Sequence, residues 1–267
     1  SSPASPVHTA QTMLQTRSLW RHRELILRLS KHDLLGRYKG AALGLCWSVV
    51  IPLVMLAVYT FVFSQVFKAR WGDSAGAGDG SFALNLFAGL IVFNLTSECV
   101  NRAPLTIRGN PNYVKKIVFP LETLGAASTG AACIQALISL AILLLAQLVL
   151  RQSLPLTVAW LPLVWLPLLL GLLALSWLLS AAGVFLRDIS QITPIALNLL
   201  MFMTPVFYPL TALPQPWRLL LALNPLAHVI DETRRICLEG QPPHAAYVIG
   251  GTLLAWLGCE ASLRIFN

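Results

Sequence analysis

The sequence predicts an all-α membrane protein with six transmembrane helices, an amino-terminal amphipathic interface helix, and two short outer-side gate helices before the last span. The first observation is composition: of 267 residues, 56% are hydrophobic and only 11% are charged, against roughly 25% charged in a soluble domain. The second is a series of long charge-free stretches, and the third is a cluster of basic residues just before the first of them. Lipid is the solvent that fits so little polar surface.

The charge-free stretches locate the spans, because a charge at the centre of a bilayer costs at least ~2.5 kcal/mol. A helix needs ~20 apolar residues to cross. The predicted spans are residues 40–67, 80–97, 123–150, a segment within 152–186, 189 to about 208, and 240–259. The predicted organisation is a disordered amino terminus (1–16), the interface helix (17–39) and the membrane domain (40–267), with the gate helices within 210–243.

The distribution of positive charge predicts the orientation. With the amino terminus inside, the inner segments carry thirteen of the nineteen Lys and Arg residues, and seven of those lie between Arg17 and Lys39. Inner connections are enriched in positive charge, so both termini are predicted to be cytoplasmic. The net charge of +8 follows from this bias, and since no nucleic-acid-binding motif is present, no nucleic-acid partner is predicted.

The stretch from Leu19 to Leu35 has the pattern of an amphipathic helix. Its apolar face carries Leu19, Trp20, Ile26, Leu27, Leu29 and Leu34, and its polar face carries Arg21, Glu24, Arg28 and Lys31. Such a helix lies in the membrane interface. A solvated helix beside the membrane has the same pattern, so both interpretations stay open.

The segment 210–243 contains five prolines that leave two short helical stretches, 216–223 and 226–238. Neither can span, and irregular backbone at membrane depth persists only where protein covers it or a cavity borders it. Asp231 has the helical spacing to pair with Arg234 or Arg235. The alternative is a plain periplasmic loop.

Catalytic and metal-binding patterns are missing from the sequence. The five His residues have no metal-ligand spacing, and no Gly-Lys dipeptide occurs, so the chain has no Walker A loop to cradle ATP phosphates. No catalytic residue, metal or cofactor is therefore predicted in this chain. Glu98 lies deepest among the acidic residues, and Arg102, one turn later, is predicted to neutralise it.

The inner loop from Arg102 to Glu122 is a candidate docking element. Asn110 can cap a short helix with Pro111 at its first position. Tyr113 gives that helix an apolar contact, and Lys115 and Lys116 give it charge. The pattern is equally compatible with a loop that has no docking role and whose basic residues reflect only the positive charge typical of inner loops.

Aromatic side chains recur within the predicted spans. The candidate channel-lining residues are Tyr59, Phe63, Phe87, Phe93, Phe202, Phe207 and Tyr208. An aromatic residue in a span more often packs against lipid or helices, so the role of each one stays open.

Several segments resemble ABC-transporter permeases of polysaccharide export, the membrane subunits of O-antigen, capsule and teichoic acid exporters. The matching segments, in order, are 33–53, 110–122 with Lys-Lys-Ile-Val-Phe-Pro-Leu-Glu, Phe185-Leu-Arg-Asp-Ile, Thr204-Pro-Val-Phe-Tyr-Pro, Leu223-Asn-Pro-Leu and 234–240. Gly36 departs from the family, where a Lys or another polar residue is common before the arginine.

The resemblance implies a channel of two copies of this chain in a bacterial inner membrane, with two copies of a separate ABC-type ATPase that bind ATP and Mg. The implied substrate is a polysaccharide on a polyprenyl diphosphate lipid. The aromatic residues of the spans fit a path for such a substrate, because sugar rings stack on aromatic faces, and Gln65 or Asn94 could receive the sugar hydroxyl groups. The implied ATPase-docking residues are Arg21, Arg28, Asn110, Pro111, Asn112, Tyr113, Lys115 and Lys116. The implied cytoplasmic mouth for the lipid diphosphate is Lys31, Arg37, Tyr38 and Lys39. The implied outer gate is Pro216, Trp217, Asn224, Pro225, Asp231, Arg234 and Arg235.

Three alternatives remain at this level. The substrate could be teichoic acid, capsule or a small molecule moved by the same kind of permease. The chain could be a carrier that needs no ATPase, although it lacks an intramembrane carboxylate relay. It could be a membrane glycosyl- or acyltransferase, although no cluster of Asp, Glu or His is evident.

Overall fold

The protein is all-helical wherever its structure is described. The computed structural model describes residues 22–66, 81–109, 122–209, 214–215, 221 and 223–266, and within these ranges it has eight α-helices and no strand. Four helical segments there are long and apolar enough to cross a membrane: Gly44–Phe63, Ser81–Thr106, Thr123–Arg151 and Leu156–Phe185. The predicted all-α class is confirmed for these residues, and the number of six crossings stays a prediction.

The helices follow one another in this order: α1 (Arg23–Arg37), α2 (Trp47–Tyr59), α3 (Ser81–Thr106), α4 (Glu122–Arg151), α5 (Leu161–Phe185), α6 (Ile189–Phe202), α7 (Pro225–Arg234) and α8 (Ala245–Phe266). Short 3-10 turns precede α2 and α5, and π-helical turns follow α2 and α7. Gly40 has a φ of +90° in the turn between α1 and α2, a conformation that favours glycine.

Helix α3 is the centre of the bundle and packs against α4, α5, α6 and α7. Within its most apolar window, 83% of the residues are buried, whereas only 11% are buried in the first span. A helix that is apolar on all sides belongs in a core, and α3 fits that description. The first span instead presents most of its apolar side chains outward.

Helix α5 packs closely on α3 because of one glycine. A Cβ at Gly183 would lie 2.5 Å from the Pro104 carbonyl oxygen, so only glycine allows this separation. The Ser180 hydroxyl donates to the Ala103 carbonyl at 2.8 Å. Both contacts join the carboxyl-terminal part of α5 to that of α3.

The second span is longer than predicted. The charge-free rule ends it at residue 97, but α3 continues to Thr106 and includes Glu98 and Arg102. These charges are tolerated because each has an oppositely charged partner on α1. A rule that stops a span at the first charge therefore shortens a helix whose charges are paired.

The fifth span is shorter than predicted, since α6 ends at Phe202 rather than near residue 208. Thr204 precedes Pro205, and a residue before proline disfavours the helical conformation. Its 14 residues give about 21 Å of helix, less than the ~30 Å hydrocarbon core. Helix α8, which covers most of the predicted sixth span, has 22 residues but is not among the four segments above.

The second of the two predicted short helices, 226–238, coincides with α7 and its π-helical turn. Asn224 caps α7, because its side chain accepts a hydrogen bond from the Leu226 amide at 3.0 Å. Pro225 occupies the first helical position, and Gly240, with a φ of +70°, follows the end. The first predicted short helix, 216–223, lies almost entirely outside the described residues.

Candidate functional site

Four charged side chains meet where the carboxyl-terminal ends of α1 and α3 approach each other. Arg37 pairs with Glu98 and, at 3.4 Å, with Asp33, while Arg102 pairs with Asp33 from the other side. The side chains are between 17% and 36% exposed, so water still reaches them. We call Asp33, Arg37, Glu98 and Arg102 the Asp33 cluster.

The cluster adds a partner that helical spacing does not predict. Spacing pairs Glu98 with Arg102, and Arg102 does act electrostatically on Glu98, but the salt bridge of Glu98 is made with Arg37. Docking of α1 on the bundle brings Arg37 to Glu98 and gives Arg102 a partner in Asp33. Two of the ion pairs therefore join two helices, and the pair of Arg37 with Asp33 lies within α1. The signs of the cluster in the sequence are the two spacings of four residues, one on each helix.

Helix α1 is fixed to the bundle mainly through α4. Ser30 is buried, and its hydroxyl donates to the Ala127 carbonyl of α4 at 2.9 Å. Gly130 leaves the space for this contact, since a Cβ there would clash with the Ser30 hydroxyl. Leu34 is buried on the same side of the helix, whereas Leu27 is 58% exposed. The predicted amphipathic helix thus has a docked face in this chain.

A cavity of about 390 Å³ lies between α2, α3 and α4; we call it the three-helix cavity. Arg37, Tyr38 and Glu98 line one end, so the Asp33 cluster borders it directly. Phe87 lines it farther along α3, eleven residues and thus about 16 Å before Glu98. Tyr59 of α2 lines it as well. The cavity therefore joins charged side chains at one end to aromatic side chains beyond.

The predicted path residues separate into two groups. Tyr59 and Phe87 line the same cavity as the predicted mouth residues Arg37 and Tyr38. Phe93 is not among the lining residues, and it is buried in the core of the bundle, as Phe87 also is. Its place in the core is the ordinary role of an aromatic residue in a helix bundle.

The remaining aromatic residues lie elsewhere in the described part of the chain. Phe63 stacks on Phe82 with 5.0 Å between ring centroids. Phe202 is 72% exposed and lies 6.4 Å from Phe207 between ring centroids. The Tyr208 hydroxyl donates to the Phe202 carbonyl at 3.1 Å. These three residues group together just after the end of α6.

A single buried guanidinium organises the other end of the bundle. Arg234 is 4% exposed and donates to the Asn85, Pro205 and Val206 carbonyls at 2.9, 2.7 and 2.8 Å. We call this arrangement the Arg234 clasp. Burial lowers the pKa of Arg234 to about 9, so the side chain stays protonated at neutral pH. The clasp joins α7 to the start of α3 and to the turn after α6.

The clasp adds contacts that the spacing of Asp231 does not predict. Asp231 has the spacing to pair with Arg234 or Arg235, which stays a prediction, and the hydrogen bonds described for the two arginines go to carbonyl oxygens. Arg235 donates to the Pro242 carbonyl at 2.8 Å. Gly89 supplies the room for Arg234, because a Cβ there would lie 2.6 Å from its guanidinium. The sequence does not indicate which carbonyl groups accept these hydrogen bonds, because every residue has a backbone carbonyl whatever its side chain.

A second cavity, of about 350 Å³, lies between α1, α3 and α4. His32, Asp33, Arg102, Thr106 and Ser128 are among its lining residues. It borders the ends of α3 and α4 that precede and follow the predicted docking loop. Most of that loop lies outside the described residues.

Other predicted site residues can be placed only in part. Arg28, Lys31 and Lys39 are exposed on and just after α1. The predicted residues that lie outside the described part of the chain are Arg21, Asn110, Pro111, Asn112, Tyr113, Lys115, Lys116, Pro216 and Trp217.

Comparison with known proteins places the chain in a family. The O-antigen export system permease protein of Myxococcus xanthus is 28% identical over 231 residues, which are 86% of each chain. A protein of the same description from Klebsiella pneumoniae is 22% identical over 91% of each chain. The polysialic acid transport protein of Escherichia coli is 25% identical over 86% of this chain and 85% of its own. The family model described as ABC-2 type transporter matches residues 24–238, which include every helix described here except α8. The chain therefore belongs to the ABC-2 type transporter family, and the relatives that it matches are permeases of polysaccharide export.

Proposed function

We propose that this chain is the membrane-channel subunit of an ATP-driven exporter that moves a polyprenyl-diphosphate-linked, O-antigen-like polysaccharide across a bacterial inner membrane. The single observation that carries the proposal is the three-helix cavity, which begins at Arg37 and Glu98 and continues past Tyr59 and Phe87. A charged mouth suits a diphosphate, and aromatic walls suit sugar rings. The names of the relatives point to the same class of substrate.

The mouth acts through its guanidinium and ammonium groups. Arg37 makes charge-assisted bonds to two carboxylates, and a diphosphate offers the same kind of acceptor at higher charge. Lys31 and Lys39 are exposed beside it and add to the attraction. The diphosphate of the lipid carrier then replaces a carboxylate at Arg37 as it enters.

Two copies of this chain form the channel, with both termini in the cytoplasm. The outward-facing apolar side chains of α2, including Ile51 at 45% and Met55 at 45% exposure, need either lipid or a second copy to cover them. Both residues also line the three-helix cavity. A second copy would therefore close the open side of each cavity.

Two copies of a separate ATPase supply the energy, and ATP and Mg bind to them. The docking surface is α1 together with the loop 110–116, next to the cavity of about 350 Å³. Movement of α1 reaches the mouth through the Asp33 cluster, because Asp33 and Arg37 lie on α1 while Glu98 and Arg102 lie on α3. At the opposite end, α7 and the segment before it form the outer gate.

The test is a deletion of this gene in its host, with complementation. The expected result is loss of the surface polysaccharide, accumulation of lipid-linked polymer inside the cell, and co-purification of an ATPase with the tagged chain. Surface polysaccharide at the wild-type level in the deletion strain would overturn the proposal. Export that persists when the co-purifying ATPase is removed would leave a carrier that needs no ATPase.

The resemblance to a polysialic acid transport protein supports a second candidate, a capsule polysaccharide. The two candidates differ in the polymer that accumulates. To distinguish the two candidates, the polymer that accumulates inside the cell is released from its lipid, and the sugars of the polymer are analysed.

A further inference from the structure

The three-helix cavity contains an amide that the fold itself does not use. Asn94 is exposed, while every other residue from Ala83 to Thr96 is buried. It lies at the midpoint of α3 and lines the cavity. Its side chain makes no hydrogen bond within the described part of the chain. An amide offers two donors and an acceptor, and leaving these unmet in hydrocarbon costs several kcal/mol.

A second amide faces the same cavity from α4. The Gln135 side-chain nitrogen donates to the Ser48 carbonyl at 2.8 Å, which fixes the orientation of the amide. Its oxygen Oε1 is buried and has no hydrogen-bond partner among the residues that the structure describes. Ser139 follows one turn later and lines the cavity too. Gln135, a residue of the cavity lining, therefore carries an acceptor that needs a donor, and the bond to Ser48 holds its amide in place.

The chemistry of the wall selects a ligand class. A hydroxyl group both donates and accepts, so the hydroxyls of a sugar suit both the Gln135 oxygen and the Asn94 amide. Arg37 and Glu98 neutralise each other at the end of the cavity, which leaves its middle without net charge. Tyr59 and Phe87 line the cavity as well, and aromatic side chains add apolar contact area. A volume of about 390 Å³ falls in the usual range of small-molecule sites, roughly 300–1,000 Å³.

We propose that Asn94 and Gln135 form a subsite for one neutral sugar residue, which the glycan occupies as it passes through the three-helix cavity. The inference rests on the proposed function, because it requires a glycan in the channel. It adds a polar contact in mid-span, so that the chain recognises the glycan itself and not only the diphosphate of its carrier.

The first experiment replaces the Asn94 amide by a side chain of similar size without hydrogen bonds. Asn94→Leu is expected to lower surface polysaccharide at least fivefold at wild-type protein abundance, and Asn94→Gln, which keeps the amide, is expected to recover part of it. A residue that only faced lipid would tolerate Leu as well as Asn. Wild-type export by Asn94→Leu would therefore overturn the subsite.

The second experiment detects the glycan directly by photocrosslinking in living cells. Met55 lines the cavity and is 45% exposed, whereas its neighbour Val54 is 51% exposed and lies outside the lining. With p-benzoylphenylalanine at each position in turn, a glycan-stained adduct is expected at Met55→p-benzoylphenylalanine and not at the Val54 control.

The outcomes separate the subsite from the proposed function. Glycan adducts at both positions, or at neither in cells that still export, would overturn the subsite and leave an exporter whose cavity holds only water or lipid. Loss of the proposed function would show differently, as normal surface polysaccharide in the deletion strain. Adducts at Met55 that disappear in the presence of Asn94→Leu would support the subsite.

Discussion

The two ends of α3 use arginine in opposite ways. At one end, the guanidinium groups of Arg37 and Arg102 form salt bridges with the carboxylates of the Asp33 cluster, and these salt bridges connect α1 with α3. At the other end, thirteen residues and about 20 Å away along the helix, Arg234 alone binds three carbonyl oxygens of two segments. The first set is partly exposed, and Arg234 is buried.

The difference teaches which end can rearrange. A carboxylate can rotate toward another guanidinium, so the Asp33 cluster can exchange partners without moving the backbone. A carbonyl oxygen is fixed in the backbone, so the Arg234 clasp releases only when a helix moves. Solvent screens the cluster and not the clasp. We expect the clasp to dominate stability and the cluster to dominate export.

The largest loss of stability is expected from Arg234→Leu. The change leaves the buried Pro205 and Val206 carbonyl oxygens without the donors that Arg234 supplies, while the Asn85 carbonyl keeps its place in the hydrogen bonding of α3. Each orphaned carbonyl costs about 1–3 kcal/mol, so the free energy of unfolding should fall by about 2–6 kcal/mol. Thermal unfolding of the purified protein in detergent measures it. Arg235→Leu is the matched control, since Arg235 donates to a single carbonyl, that of Pro242, in an exposed contact. Equal losses for both variants would contradict the special role of the clasp.

A smaller loss is expected from Gly89→Ala. The added methyl group would lie 2.6 Å from the Arg234 guanidinium and force it from its carbonyls, which should cost about 1–3 kcal/mol. Gly171→Ala is the control, because nothing lies within 4 Å of a Cβ there and alanine favours the helix. The unfolding temperature should fall for the first variant only. A rise in both would place the guanidinium elsewhere.

Arg37→Glu tests the opposite expectation at the Asp33 cluster. The new carboxylate would lie beside those of Glu98 and Asp33 and be repelled by them. Because the cluster is partly solvated, the free energy of unfolding should fall by only about 1 kcal/mol. Export, measured as surface polysaccharide, should be largely lost. The double variant Arg37→Glu with Glu98→Arg restores one ion pair and should recover part of the export. Normal export by Arg37→Glu at wild-type abundance would remove Arg37 from the mechanism.

The smallest effect is expected from Ser30→Ala, which removes the bond from α1 to the Ala127 carbonyl. The loss should be about 1 kcal/mol and local, with faster amide hydrogen exchange in α1 and little change in α3. Ser190→Ala is the control, because Ser190 bonds only within its own exposed turn. Uniform acceleration across all helices would mean that α1 does not open on its own.

The sequence predicts the helical class and the approximate places of the spans well. Lipid excludes charged side chains, so the segments that lie in lipid can be read directly from the sequence as stretches without charge. It also predicts the place of α7, because the predicted short helix 226–238 coincides with α7 and the turn after it. Helix ends are harder. Paired charges extend α3, and the residue before Pro205 ends α6 early.

The site is predicted less completely, for a physical reason. The sequence predicts roles for Arg37, Tyr38, Tyr59 and Phe87 one residue at a time, but their common cavity arises from the packing of three helices. The partner of Glu98 depends on where α1 docks, and the acceptors of Arg234 are backbone atoms that no residue type announces. The unpaired amides of Asn94 and Gln135 likewise become evident only when the surrounding contacts are known.

The proline break after α6 and the arginine on α7 form one unit. A helix that stops inside a bundle leaves its last carbonyls without amide partners, and Arg234 supplies donors to two residues of that break. The turn that ends α6 is therefore stable only while Arg234 of α7 donates to its carbonyl oxygens. In a chain that lost the arginine, Pro205 would still keep α6 from continuing, so the Pro205 and Val206 carbonyls would need new donors and the shape of this end of the bundle would change.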